Sequence, residues 1–414
     1  MTHAMVAREA AEGAARRSYG KLVAFLAART RDVAGAEDAL AEALATALAT
    51  WPARGVPDNP EAWLLTVARR KMIDAMRERQ QGEGAAEHFA LLAELAEGEE
   101  NDATIPDDRL ALMFACAHPA IEAGIRAPLM LQTILGFDAA AIASAFLVSP
   151  ATMGQRLVRA KSRIRQAGIP FRVPGRAELR ERLVPVLDAI YAAYAEGWAD
   201  AAGTDARRRN LAEEAIWLGG LLASMLPQEP EALGLLSLML HAQARRRARR
   251  DADGAYVPLD EQDVALWDER LIVEAEALLR RASALEGIGR FQLEAAVQSA
   301  HVVRRRDGRA DWAAIERLYE ALETLTASPV VSINRAIAIA QTQGPQAGLQ
   351  LLGSLAADVR LADYQPYWAA RAGLLARTGD IPQALSSYER AIGLERDPAV
   401  RQFLQRQREK LTGR

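Results

Sequence analysis

The chain has 414 residues, half of them hydrophobic, with a formal net charge of -3 and a single cysteine. That length exceeds one ordinary core and predicts about two to four domains. Cys116 on its own excludes an intrachain disulfide and suits a reducing compartment. No signal-peptide pattern opens the chain and no apolar run reaches about 18 residues, so the expectation is a cytoplasmic protein with no membrane contact. Alanine dominates the apolar fraction, and strand-length runs of Val, Ile and Thr are scarce. Together these predict an all-α fold.

In chain order, DVAGAEDALAEALATALATW (residues 32–51) reads as an amphipathic helix beginning near Ala34, with Glu37, Asp38 and Glu42 among its polar positions. The Pro-rich loop PARGVPDNPEAW follows, holding Asp58. Asn59-Pro60 is a cap followed by proline at the first helical position. The helix from Pro60 to about Arg79 turns Leu65, Met72, Ile73 and Met76 toward a core. Its other face interleaves Trp63 and Val67 with Arg70, Asp74 and Arg77. An aromatic ring among cations suits a single strand of nucleic acid, which needs stacking for a base and charge for the backbone. Trp63 is equally suited to a core, and Asp74 to pairing with Arg70 or Arg77 at helical spacing. The pattern leaves both readings open.

Glu83, Glu87, Glu94, Glu97, Glu99, Glu100, Asp102, Asp107 and Asp108 then lie between Gln80 and Arg109 with no Lys or Arg among them. This is an acidic connector. DDRLALMFACAHPAI (107–121) holds Cys116 and His118, two ligands that cannot close a tetrahedral zinc site alone.

Next comes a helix capped by Asp138, AAAIASAF, and a turn at Leu147-Val148-Ser149. A basic helix from Pro150 to about Gln166 is started by the Ser149 cap. At about 100° per residue, Met153, Leu157, Ala160 and Ile164 form a core stripe. Gln155, Val158, Arg159 and Ser162 lie opposite, flanked by Arg156 and Arg163 on one side and Lys161 and Arg165 on the other. Helix, short turn and basic helix is the helix-turn-helix pattern: amides and guanidinium groups meet base edges while cations neutralise phosphate. A solvated basic helix in a bundle is the competing reading. The acidic connector, opposite in charge, is a candidate cover for this helix.

GIPFRVPGR (168–176) interrupts the helical pattern. Beyond it, turn glycines recur at Gly308, Gly344 and Gly379, spaced by about one helical hairpin. In WAARAGLLARTGDIPQALSSYERAI, the residues Trp368, Ala372, Gly379, Ala384, Tyr388 and Ala391 follow the tetratricopeptide pattern; Pro398 comes late and predicts a longer second helix. RRRARRDADGAYVP (245–258) breaks the helices and reads as a solvated basic loop or a nucleic-acid site. His3, His88, His118, His241 and His301 are scattered without an acid–base partner signature, so no enzyme, metal or cofactor is expected.

GFDAAAIASAFLVSPATMGQRLVRAKSRIR resembles the promoter-reading region 4 of bacterial sigma factors of the extracytoplasmic-function group. Thr152-Met153 and Arg159-Ala160-Lys161 match its pattern. Residues 32–51 resemble region 2.2, with Asp38 and Glu42 at its acidic positions, and WLLTVARRKMIDAMRER resembles the region 2.3–2.4 helix. DDRL, the HPA tripeptide and AGIPFRVP resemble a subgroup with a C-terminal tetratricopeptide-like extension. The resemblance implies region 2 at 1–80, a linker at 81–106, region 4 at 107–172 and a helical-repeat domain at 177–414. It implies core RNA polymerase and promoter DNA as partners, with a protein or intramolecular contact through the repeats. Glu37, Asp38 and Glu42 would face polymerase. Asp58, Asn59, Trp63, Arg70, Asp74 and Arg77 would meet the -10 element. Ser149, Thr152, Gln155, Arg156, Val158, Arg159, Lys161 and Arg163 would meet the -35 element, Gly154 standing where a polar residue is common. A stand-alone helix-turn-helix regulator and a tetratricopeptide adaptor are the alternatives.

Overall fold

The computed structural model describes residues 3–79, 105–146, 148–199 and 206–413. Among them the secondary structure is helical, with one isolated antiparallel bridge, Arg250 to Tyr256. The chain divides into two compact units, residues 1–199 with 205–218, and residues 200–204 with 219–414.

In the first unit, α1 (His3–Thr30), α2 (Val33–Arg54) and α3 (Pro60–Arg79) pack on one another. Asp32 starts α2 by accepting the Gly35 N–H at 3.0 Å, and Asn59 starts α3 by accepting the Ala62 N–H at 3.1 Å. Each satisfies a donor that the first turn of a helix leaves open. After the connector come α4 (Arg109–Cys116), α5 (Ala123–Leu135), α6 (Ala139–Ala145) and α7 (Pro150–Gln166). Leu110 through Cys116 are all buried, so α4 is a core helix rather than an amphipathic one.

Helix α1 packs on α4 and α5 as well as on α2 and α3, and α2 packs on α7. The α1–α5 crossing is close: a Cβ on Gly20 would stand 2.1 Å from the Ile134 carbonyl oxygen. Helix α5 ends at Gly136, whose φ of 73° is left-handed; the Gly136 N–H reaches Gln132 O at 2.9 Å and the Phe137 N–H reaches Leu131 O at 3.2 Å. That is a Schellman stop. Helix α8 (Arg176–Ala199) packs on α4 and α5, and α9 (Ala206–Met225) runs across the division between the units.

The second unit contains α10 (Pro230–Ala244), α11 (Glu269–Ser283), α12 (Arg290–Val302), the single turn α13 (Arg304–Asp307), α14 (Trp312–Thr326), α15 (Pro329–Thr342), α16 (Pro345–Ser354), α17 (Gln365–Thr378), α18 (Ile381–Leu394) and α19 (Pro398–Thr412). Apolar clusters follow one another along it. Val297, Ile315 and Leu322 form one with Val331; Ile333, Leu352 and Tyr367 belong to the next; Ala372, Tyr388 and Leu404 close the series. Trp368 packs against the last two clusters, so neighbouring hairpins share their cores.

Gly308, Gly344 and Gly379 adopt φ of 72°, 99° and 84°, as turn glycines must. Ala372, Ala384 and Ala391 are fully buried, which lets paired helices approach. One expectation fails. Helix α18 stops at Leu394, because Asp397 caps a new helix in which Pro398 takes the first turn; the proline begins α19 instead of closing a lengthened α18. The basic stretch 245–258 is a short 3-10 turn, Arg246–Arg249, followed by an irregular loop.

Candidate functional site

The two helices expected on either side of the turn are both present, each with its cap. Asp138 accepts the Ala141 N–H at 2.7 Å to start α6, and Ser149 accepts the Thr152 N–H at 3.1 Å to start α7. Met153, Leu157, Ala160 and Ile164 are each 5% exposed or less. This burial fixes the rotation of α7, and Gln155, Val158, Arg159 and Arg163 are therefore exposed, with Thr152 beside the cap. Val158 is an apolar group at 63% exposure amid polar neighbours. Arg156 reaches across to Glu122 at 2.9 Å.

Lys161 is placed differently. Its ammonium lies against the Glu37 carboxylate of α2, and both side chains are only 11% exposed. One helical turn further on, Arg165 stands 3.5 Å from Asp32. The flank of the basic helix is thus covered by the start of α2. Burial pushes the Glu37 carboxyl above its usual range, the nearby Lys161 charge only partly opposing it. The second carboxylate oxygen of Glu37 is buried without a hydrogen-bond partner. Desolvation therefore offsets part of the attraction in this pair.

On the same helix Asp38 and Glu42 are exposed, and Glu42 pairs with Lys71 of α3 at 3.0 Å. Asp58 and Asn59 are exposed in the α2–α3 loop, but the Asn59 side chain is engaged as the cap of α3. Trp63 is half-buried, its ring edge-on to Trp51 with centroids 5.3 Å apart. Trp51 anchors it in the core while part of Trp63 remains accessible. Arg70 and Asp74 are exposed, and no ion pair joins them among the described residues. The side chain of Arg77 lies outside the described residues, as do Glu94, Glu97, Glu99 and Glu100 of the acidic connector. The acids that do meet the basic helix are Asp32, Glu37 and Glu122. Asp32 and Glu122 were not in the expected set; an Asp directly before an apolar-periodic run is a cap signal that marks Asp32.

Cys116 is fully buried with its Sγ 3.5 Å from Thr133 Oγ1, and burial pushes its thiol up to about 12. It is a core residue with negligible thiolate at neutral pH. No group of three or more His, Cys, Asp or Glu side chains suited to a metal occurs among the described residues. No helix among them is long and apolar enough to cross a membrane.

Comparison with known proteins fits this geometry. Residues 15–82, spanning most of α1, all of α2 and α3 and the loop between them, match the Sigma-70 region 2 family. Residues 182–283 match a family of unknown function, DUF6596. Uncharacterized protein R00370 of Rhizobium meliloti (strain 1021) is 39% identical over 378 residues, covering 90% of this chain and 89% of that protein. No solved structure matches the chain. The chain belongs to the family of that Rhizobium protein, and its N-terminal helices match sigma-70 region 2, the part of a sigma factor that binds core RNA polymerase.

Proposed function

We propose that the protein is an alternative sigma factor of the extracytoplasmic-function type, with region 4 at 107–172 and a tetratricopeptide-like domain filling its C-terminal part. The observation that supports the reading is a basic helix, α7, packed directly on α2 within the segment that matches sigma-70 region 2. A capped helix-turn-helix presents Gln155, Val158, Arg159 and Arg163 outward, in one compact unit with the exposed Asp38 and Glu42. In this reading Asp38 and Glu42 dock on core polymerase. Asp58, Trp63, Arg70, Asp74 and Arg77 hold the opened -10 strand, with Asn59 shaping the loop as the α3 cap. Ser149, Thr152, Gln155, Arg156, Val158, Arg159 and Arg163 meet the -35 duplex, and Lys161 joins them when it leaves Glu37. The protein acts by binding and positioning, without bond-making chemistry of its own.

The reading includes a regulatory step. Glu37 lies on the polymerase-facing helix and Lys161 on the promoter-facing one, and in the free protein each occupies the other. Polymerase binding along α2 would compete for Glu37 and release Lys161 toward phosphate. The C-terminal hairpins, with turns at Gly308, Gly344 and Gly379, are the modulating domain in this scheme.

Transcription by core polymerase plus the purified chain, on fragmented genomic DNA of the source bacterium, tests the assignment. Sequenced 5′ ends should share one pair of upstream elements and disappear with Arg159→Ala. Start sites unchanged by adding the protein would reject it.

A further inference from the structure

We propose that the second unit holds a site for a small zwitterion, an aromatic α-amino acid or a close derivative, in the cavity between the 259–268 loop and helices α12, α14 and α15. The cavity has a volume of about 460 Å³. That lies in the range of small-molecule pockets, roughly 300–1,000 Å³, and is too small for a folded partner.

Its walls combine three features. The first is aromatic. Trp267, 4% exposed, lines it, and so does Trp312, which meets His301 edge-on with ring centroids 5.4 Å apart. The indole N–H of Trp267 is buried with no hydrogen-bond partner. A ligand ring placed against Trp312 would gain an aromatic contact of the kind that adds about 1 kcal/mol beyond simple burial.

The second feature is a pair of opposite charges. Asp260 and Arg309 both line the cavity and are exposed, and neither makes a hydrogen bond or ion pair with a described residue. Arg304, by contrast, donates to the carbonyls of Leu259 at 2.7 Å and Gln262 at 3.2 Å, which ties the loop to α13 and makes the wall firm. His301 is held neutral, its pKa pushed down to about 4 by burial and by the charges of Arg245 and Arg304, so it does not rival Arg309 for an anion.

The third is a pair of amides. Asn334 and Gln341, seven residues apart on α15, face the cavity, and neither amide bonds to a described residue. They supply both donors and acceptors beside the charged groups.

These features select among ligands. A zwitterion satisfies Arg309 with its carboxylate and Asp260 with its ammonium. An aromatic acid or amine satisfies one and leaves the other charge unpaired beside it, and an internal peptide segment satisfies neither. The inference stands on the second unit alone and does not depend on the sigma-factor reading.

Isothermal titration of the full chain with L-phenylalanine, L-tyrosine and L-tryptophan tests it, against hydrocinnamate, phenethylamine and N-acetyl-phenylalanine amide. At least one free amino acid should bind, with the three analogues weaker by about tenfold or more, as loss of a charge-assisted contact implies. Arg309→Gln and Asp260→Asn should each cost about tenfold while leaving the melting temperature unchanged, since both side chains are exposed. No heat from any of the three amino acids at millimolar concentration would overturn the proposal. So would equal binding of a singly charged analogue, or affinity indifferent to both substitutions.

Discussion

The Lys161 ammonium rests on the Glu37 carboxylate, joining residues 124 positions apart in the chain. A cation of the basic helix α7 and an acid of α2, in the segment that matches sigma-70 region 2, neutralise one another, with little of either side chain in solvent. Burial raises the Glu37 carboxyl despite the adjacent charge, so desolvation of the pair offsets part of its attraction.

Glu37→Gln removes the anion and leaves Lys161 free to turn its long stem outward. Non-specific duplex binding by the free chain should then tighten several-fold, and the slope of log affinity against log salt should steepen by about one unit, the signature of one added phosphate contact. Fluorescence anisotropy at a series of salt concentrations measures both. An unchanged slope would mean that Lys161 does not reach DNA when released.

Two glycines of the first unit should respond in opposite directions to alanine. At Gly20 the new Cβ would sit 2.1 Å from Ile134 O, and backbone cannot yield cheaply there. Gly20→Ala should destabilise by about 2–4 kcal/mol. At Gly154 nothing lies within 4 Å of the new Cβ. Gly154→Ala inside α7 should stabilise by roughly 0.5–1 kcal/mol through helix propensity. Urea midpoints of the two variants check the contrast.

The second unit should lose stability in mild acid. His241 has no exposed side-chain surface, and burial with the nearby Arg245 charge pushes its pKa down to about 4, although Glu276 stands 3.4 Å away. The unfolded chain therefore takes up a proton, near the ordinary histidine pKa of about 6.5, that the folded one refuses until about pH 4. Stability is fully present above about pH 6.5 and is lost as pH falls through that window, by on the order of 3 kcal/mol for this residue. His301 adds a smaller slope of the same sign, since its side chain is not fully buried. Denaturation at pH values across the window should show the decline, and His241→Gln should flatten it.

The local features were legible in the sequence because they depend on local chemistry. Ser149-Pro150 marks the start of α7 and the apolar stripe from Met153 to Ile164 sets its rotation; Gly308, Gly344 and Gly379 mark turns that require positive φ. Pro398 misled, because proline signals the first turn of a helix as readily as the end of the preceding one. Helix α1 buries a one-sided stripe of Ala7, Ala11, Ala14 and Ser18 in its first half but every residue from Leu22 to Ala27 in its second, and it packs against α2, α3, α4 and α5. The pairings of Lys161 with Glu37 and Arg165 with Asp32 leave no trace in periodicity, because they arise only when α2 and α7 meet in the folded unit. The Asp260–Arg309 cavity is equally hidden: its residues come from the 259–268 loop, the 308–310 turn and helices α12 to α15.

The central claim, that α2 docks on core RNA polymerase, is tested most directly by co-purifying purified bacterial core enzyme with the wild-type chain and with the Asp38→Arg, Glu42→Arg double variant. Both positions are exposed, so the variant should keep its fold, which circular dichroism verifies. The account predicts a stable complex with the wild type and its loss in the variant. Equal binding by both, or no complex with the wild type, would contradict it.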